Sequence, residues 1–332
     1  MMFQENKEFK MKDQNSIISN WENNETHPLV SIICTTFNHE NFIKETLEGF
    51  LSQKTKFSFE IIIHDDASTD NTVSIINDFV SKYPLIITPI FQKENQYSKK
   101  EVNIWSDFTF PMTQGKYIAL CEGDDYWIDE LKLQKQVDFL ENNLDYVITW
   151  TDFYTKKEAE LIPNDFSSTL PAVYTIDFNT LFKPYCTYTL TSVFKKDAVD
   201  PLDYKKFRYS KDNTLYALAL CNGKGAFLNF QGAVYRWHSG GIYSLQTPFL
   251  QRYSSYLNLK EIFENIPQSR TQNIKKVLRT LLKASAFEAL KLRKNKELKN
   301  SKDHENAINE FLDEAGFSLK LKYLWRYIKS SI

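Results

Sequence analysis

From residue 28 to about 155 one pattern repeats: a short apolar, β-branched run, a polar cluster, then apolar residues at helical spacing. Leu29-Val-Ser-Ile-Ile-Cys34 stands between Pro28 and the polar Thr35–His39. Phe42, Ile43, Leu47, Phe50 and Leu51 follow near a 3.6-residue period. Phe59–Ile63 leads into Asp65-Asp-Ala-Ser-Thr-Asp70, rich in helix-capping residues, ahead of Val73, Ile76 and Phe79. Leu85–Phe91, Tyr117–Cys121 and Tyr146–Thr151 read as further strands, with helices expected over 100–110 and 129–142. Runs without alternation belong to strands buried on both faces. The spacing therefore predicts an α/β fold, a mostly parallel central sheet flanked by helices.

In such sheets ligands bind beyond the carboxyl ends of the strands. Thr35–Asn38, Asp65–Asp70 and Glu122–Asp125 all fall there. Glu122-Gly-Asp-Asp125 sets three carboxylates in four residues, which repel unless a cation or hydrogen-bond donors offset them. Mg²⁺ or Mn²⁺ takes one or two carboxylates together with a substrate's phosphates. The plainer reading is a cap for the helix near 129. After the second strand, one aspartate accepts a base imide or ribose hydroxyls, or both cap the next helix. Asp70 and Ser68 suffice for capping, which leaves a carboxylate spare. Thr35 and Phe37 offer a hydroxyl and an apolar face.

The 332 residues carry 41 basic and 42 acidic side chains, so the chain as a whole is not built to wrap nucleic acid. Residues 251–332 are nevertheless +8 and the rest −9. Cys34, Cys121, Cys186 and Cys221 are widely spaced, without a metal or disulfide framework, which suits a reducing compartment. No secretory signal and no membrane span is expected.

Three segments carry a resemblance. Pro28-Leu-Val-Ser-Ile-Ile-Cys-Thr-Thr-Phe-Asn38, Glu60-Ile-Ile-Ile-His-Asp-Asp-Ala-Ser-Thr-Asp-Asn-Thr72 and Gly115-Lys-Tyr-Ile-Ala-Leu-Cys-Glu-Gly-Asp-Asp125 closely resemble family 2 glycosyltransferases. These are inverting enzymes of GT-A fold that use nucleotide-diphosphate sugars. The resemblance spans roughly residues 28–155, and 185–245 more loosely; it is specific for the family and not for the sugar.

It implies that Thr35 and Phe37 line the nucleotide pocket and that Asp66 holds the base. Asp124 then faces the ribose and phosphates, and Asp125 holds Mn²⁺ or Mg²⁺. Glu122-Gly-Asp124 looks like the family's D-x-D motif with a longer first arm. Asp212, in Arg208-Tyr-Ser-Lys-Asp212, matches the family's catalytic base and is equally placed as a helix cap. Val234-Tyr-Arg-Trp-His238-Ser-Gly-Gly241 resembles a segment where His or Arg approaches the diphosphate or metal, which nominates Arg236 and His238. Between the third and fourth strands many relatives carry a small-residue and arginine signature. This chain has Glu94–Glu101 and the aromatic stretch Trp105–Phe110 instead, with Lys93, Lys99 or Lys100 as substitute cations.

The expected organisation is a polar lead (1–27), a nucleotide-sugar-binding half (28–152), an acceptor-side half (153–248) and a basic helical C-terminal region (249–332). In the last of these, Phe317, Leu319, Leu321, Leu324, Trp325 and Ile328 mingle with Lys320, Lys322, Arg326 and Lys329. That segment suits an anionic membrane surface, or packing on the body or on a second copy. The lack of a signal or span leads to the expectation of a cytoplasmic protein, free or peripheral on the inner face of the membrane; the resemblance implies an enzyme that moves a sugar from a nucleotide donor, UDP favoured, to a glycan or lipid-linked acceptor. The rivals are a nucleotide-sugar-binding module without catalysis and a two-carboxylate glycosidase.

Overall fold

The structure, a computed structural model, describes residues 11–22, 27–99, 101–164, 166–238, 240–241, 246–292, 302–314 and 320. It divides into two compact units, Met1–Lys206 with Leu218–Trp237, and Phe207–Ala217 with His238–Ile332.

The first unit opens with α1 (Gln14–Ile18), capped by the Asp13 carboxylate. Alternation follows: β1 (Val30–Thr36), α2 (Ile43–Leu51), β2 (Phe59–Asp65), α3 (Thr72–Lys82) and β3 (Ile87–Phe91). A π-helical turn, Trp105–Thr109, and a 3-10 turn, Phe110–Met112, stand where a regular helix was expected. Then come β4 (Tyr117–Leu120), β5 (Tyr126–Trp127), α4 (Lys132–Asn142), β6 (Tyr146–Lys157) and β7 (Glu160–Pro163). The unit continues through α5 (Phe166–Thr169), β8 (Val173–Ile176), β9 (Val193–Lys195) and α6 (Pro201–Tyr204). Helix α7 (Asp212–Leu220) and the 14-residue β10 (Lys224–Trp237) follow.

One ten-stranded sheet runs in the order β3-β2-β1-β4-β9-β6-β10-β5, with β7 on β6 and β8 on β10. The expected parallel sheet is found across β3-β2-β1-β4. Beyond β4 it becomes mixed, because β9 pairs antiparallel with both β4 and β6. β10 restores a parallel pairing with β6. The central strands are sealed on both faces: every residue of β2, and all of β1 but Thr35, is buried. Pro89 lies in β3, the outermost strand, where a missing backbone donor is tolerated. β6 outruns its expected end at Thr151 because β7 folds back on it, through a two-residue hairpin with Glu158 at φ 52°. The strand thus crosses residue 152 without a break.

Val30, Ile32, Ile61, Ile63, Ala119, Trp127 and Leu133 share one core. Trp127 is fully buried, with its indole N–H donated to Leu190 O at 2.7 Å and Phe50 edge-on at 4.6 Å. Helix α2 packs directly on β5. A Cβ on Gly49 would lie 2.9 Å from the Trp127 carbonyl oxygen, so only glycine allows this approach.

In the second unit α8 (Pro248–Asn265), α9 (Gln272–Leu292) and α10 (Lys302–Glu314) bury Phe249, Tyr253, Leu282, Ala286, Ile308 and Phe311 together. The helical character expected for the C-terminal region is present. Its amphipathic end, residues 317–332, lies outside the described residues except for Lys320.

Candidate active site

Strand register sets the site. β1 lies between β2 and β4, with Thr36 opposite Asp65 and Ile33 opposite Leu120. Residues just past each strand therefore share one edge. Backbone bonds tie them: Asp66 N–H donates to Thr36 O at 3.0 Å, and Gly123 N–H to Thr35 O at 2.9 Å. β10 arrives at the same edge, its Arg236 N–H donating to Asp125 Oδ1 at 2.8 Å. Thr35, Phe37, Asp66, Glu122, Asp124, Asp125 and Arg236 are thus gathered in the first unit.

The acidic turn is held from three directions. Asp125 N–H closes it on Glu122 O at 3.1 Å. From α2, the Thr46 hydroxyl lies 3.0 Å from Gly123 O and 2.6 Å from Asp125 O and shares its proton between them. Arg236 closes the third side. Its guanidinium is buried, donates to Asp124 O, pairs with Glu45 of α2, and lies 4.2 Å over the Tyr126 ring. The resemblance assigned this group to the diphosphate; what it touches here is the frame of the acidic turn.

Asp125 is 3% exposed. Burial, then repulsion from Asp124 and Glu122, hold its carboxyl well above the usual carboxylate range, while Arg236 pulls the other way. Glu122 and Asp124 are half-buried, and Asp124 Oδ2 stands 3.8 Å from His39 Nε2. A Cβ on Gly123 would meet Thr36 Oγ1 at 2.8 Å, and that hydroxyl is buried without a hydrogen-bond partner. Carboxylate oxygens are the donor type that a hard divalent cation takes. Among the described residues no group of three His, Cys, Asp or Glu side chains is arranged to hold a metal.

The two aspartates after β2 divide their work differently from expectation. Neither is spare. Asp65 accepts the Ser68 N–H at 2.9 Å and the Ser68 hydroxyl. Asp66 accepts Gln96 N–H at 2.7 Å and Tyr97 N–H at 3.0 Å. Asp70 takes Thr72 N–H at 2.9 Å, while Asn71, the N-cap of α3, makes no side-chain capping bond. A carboxylate offers about four acceptor directions, so Asp66 retains capacity for a ligand. Phe37 is 39% exposed, Thr35 half-buried, and Lys93 exposed beyond β3. Lys99 pairs with Glu94, and Lys100 lies outside the described residues. Cys34 and Cys121 are buried near this edge; burial first, then the carboxylates, push both thiols well up, so they are inert.

Asp212 and His238 belong to the second unit. Asp212 is the first residue of α7, with Oδ1 accepting Asn213 N–H at 3.1 Å. Its loop is pinned to α8: Glu261 accepts the N–H of Arg208 and Tyr209, each at 2.8 Å, and Asn258 donates to Tyr209 O and Thr214 Oγ1. His238 follows β10 and accepts Gly240 N–H at Nδ1, 3.2 Å away. Sequence reasoning missed Glu45, Thr46, His39, Gln96 and Tyr97. None carries a local signal, since each reaches the site through a contact at least 30 residues distant in sequence.

The model of Glycosyl transferase family 2 matches residues 31–213, more than half the chain. The chain belongs to that family. It is similar to an uncharacterised Mycobacterium tuberculosis protein, at 42% identity over 116 residues, 34% of this chain and 32% of that protein. It therefore spans about a third of the length of that relative. It is also 30% identical over 234 residues to the Escherichia coli UDP-Glc:alpha-D-GlcNAc-diphosphoundecaprenol beta-1,3-glucosyltransferase WfaP, covering 69% of this chain and 85% of WfaP. Among solved structures the fold resembles S. aureus TarS in complex with UDP-GlcNAc. The TM-score is 0.65 at 17% identity, over 87% of this chain and 82% of TarS. The α/β sheet and C-terminal helices are those of a GT-A glycosyltransferase.

Proposed function

We propose that the chain transfers a sugar, with inversion, from a nucleotide-diphosphate donor to a hydroxyl of a glycan or lipid-linked acceptor in bacterial surface-polysaccharide assembly. The observation that carries this reading is the gathering of Thr35, Phe37, Asp66 and the braced Glu122–Asp125 turn at one sheet edge, inside the matched family segment. A UDP donor is favoured because WfaP is named for UDP-Glc. Asp66 accepts from the base, Asp124 faces ribose and phosphates, and Asp124 with Asp125 would hold Mn²⁺ or Mg²⁺. When bound, that cation supplies Lewis-acid stabilisation of charge on the departing diphosphate. Arg236, Glu45 and Thr46 keep the turn in shape. Asp212 takes the proton of the attacking hydroxyl, and its pinned loop fixes the carboxylate for that task. Lys93 and His238 are further candidates for phosphate and metal contact.

No helix among the described residues is long and apolar enough to cross a membrane. In this reading the basic C-terminal region meets an anionic membrane surface or a second copy. The test is transfer from a panel of UDP, dTDP and GDP sugars to lipid-diphosphate-linked saccharides, with NMR of the product. A β linkage from an α-linked donor is expected. An α linkage, or hydrolysis of a glycoside without nucleotide, would overturn the reading.

A further inference from the structure

Helix α9 has two faces that differ in kind. Ile274, Leu282, Ser285, Ala286 and Ala289 are buried, and Leu282, Ala286 and Ala289 join the core shared with α8 and α10. Gln272, Lys275, Lys276, Arg279, Thr280 and Lys283 are all exposed. Their spacing of three and four residues sets them on one side of the helix. The four cations span about 12 Å along it at about 1.5 Å per residue. Among the described residues none of the four takes part in an ion pair. Glu288, the one acid in α9, is engaged by Arg252 at 2.8 Å and Lys291 at 3.0 Å. The exposed acids Asp303, Glu305 and Asp313 stand on α10. Lys275 with Arg279, and Arg279 with Lys283, are like-charged i, i+4 pairs, which weaken a helix unless an outside anion offsets them.

We infer that the outward stripe of α9, Lys275, Lys276, Arg279 and Lys283, is the face by which the second unit docks on an anionic phospholipid bilayer. This inference rests on the reading in which the C-terminal region meets an anionic membrane surface, and it assigns that contact to one helix face. Charge complementarity selects the partner. All six exposed side chains are polar, so the stripe lacks the apolar centre of a protein interface, where lysine is depleted. It carries no aromatic ring on which a nucleic-acid base would stack. A layer of anionic headgroups presents a diffuse negative potential, which flexible lysines meet without fixed geometry. The contact is electrostatic, with no side chain of the stripe entering the hydrocarbon. It therefore weakens as salt shortens the Debye length from about 10 Å at 0.1 M to about 3 Å at 1 M.

The experiment is co-sedimentation of the full chain with phosphatidylcholine vesicles, and with vesicles in which phosphatidylglycerol replaces a third of the lipid, at about 0.1 M and about 1 M salt. The comparison variant carries Lys275→Gln, Lys276→Gln, Arg279→Gln and Lys283→Gln together, which keeps helix preference while removing the charge. Wild type is expected on the anionic vesicles alone, and to leave them at the higher salt. One surface cation corresponds to about fivefold in partition, so the variant is expected to bind roughly 50- to 600-fold more weakly. A melt without vesicles checks that it is folded. If it is not, Gln272→Glu with Thr280→Glu sets two anions in the same stripe, each three or four residues from two of the cations, and is expected to weaken binding instead. Equal binding by wild type and variant overturns the inference and leaves membrane contact to other segments. Binding that is equal on neutral vesicles, or that survives the higher salt, also overturns it, since apolar insertion would then carry the contact. A wild type that binds neither vesicle overturns the inference and the membrane reading together; if it sediments as a dimer that the variant does not form, the stripe belongs to a second copy. Donor binding, read separately by thermal shift with nucleotide, stands or falls on its own.

Discussion

Lys132 offers the sharpest test of the packing beneath the acidic turn. It is the first residue of α4, wholly buried, and its ammonium has no hydrogen-bond partner. Its Nζ lies 4.1 Å over the Trp127 ring. The start of a helix also disfavours a cation. Burial pushes the amine down to about 7 from an ordinary 10.5. At about 1.4 kcal/mol per pH unit, that difference opposes folding at pH 7 by roughly 4 kcal/mol. The cation–π contact returns about 0.5–2 kcal/mol. Lys132→Met keeps the length and the contact with Trp127 while removing the amine, so it should stabilise the first unit at pH 7 by about 1–3 kcal/mol.

The sign with pH follows from linkage. Between pH 7 and 10.5 the unfolded chain binds the lysine proton and the folded chain does not, so wild-type stability rises with pH in that window. The advantage of the methionine variant should therefore shrink toward pH 10. Urea unfolding followed by tryptophan fluorescence, at pH 7 and pH 9.5, measures both. A variant less stable than wild type at pH 7, or an advantage equal at the two pH values, would refute the reasoning.

Other outcomes follow from the same geometry. Gly49→Ala places a methyl 2.9 Å from a backbone oxygen of β5, which cannot yield, so α2 must shift at a cost of about 1–3 kcal/mol. Thr46 rides on that helix, so donor affinity should fall along with Tm, and a thermal-shift series with nucleotide reads both. Glu45→Gln leaves Arg236 without a charged partner at one end; Mn²⁺-dependent turnover should fall several-fold with Tm within a few degrees, as checked by steady-state kinetics and a melt. Asp212→Asn should lower kcat by about 100-fold or more with donor affinity unchanged, which separates a base from a mere cap. A variant with near-normal kcat would remove Asp212 from the mechanism.

What the sequence made legible has a physical pattern. β1, β2 and β4 announce themselves because strands covered on both faces need unbroken apolar runs, and Glu122–Asp125 stands out because charge at a strand's end has no packing use. β5, two residues long, and β9, three, are defined by their partners and not by their own pattern. In β10 the register shifts around Gln231, opposite Asp152, came only with the structure. Arg236 could be picked from its motif. Its actual partners lie about 110 and 190 residues away, beyond any local reading. Asp66 stands out in the sequence, while its bonds to the turn at Gln96 and Tyr97 came only with the structure.

The central claim is that the braced acidic turn receives a nucleotide diphosphate together with a divalent cation. Thermal shift of the wild type and of an Asp124→Asn, Asp125→Asn double variant, against UDP, dTDP and GDP sugars with Mn²⁺ or with EDTA, tests it most directly. The account predicts a rise for one nucleotide class that requires Mn²⁺ and is lost in the double variant. A rise that survives both EDTA and the double substitution would contradict it.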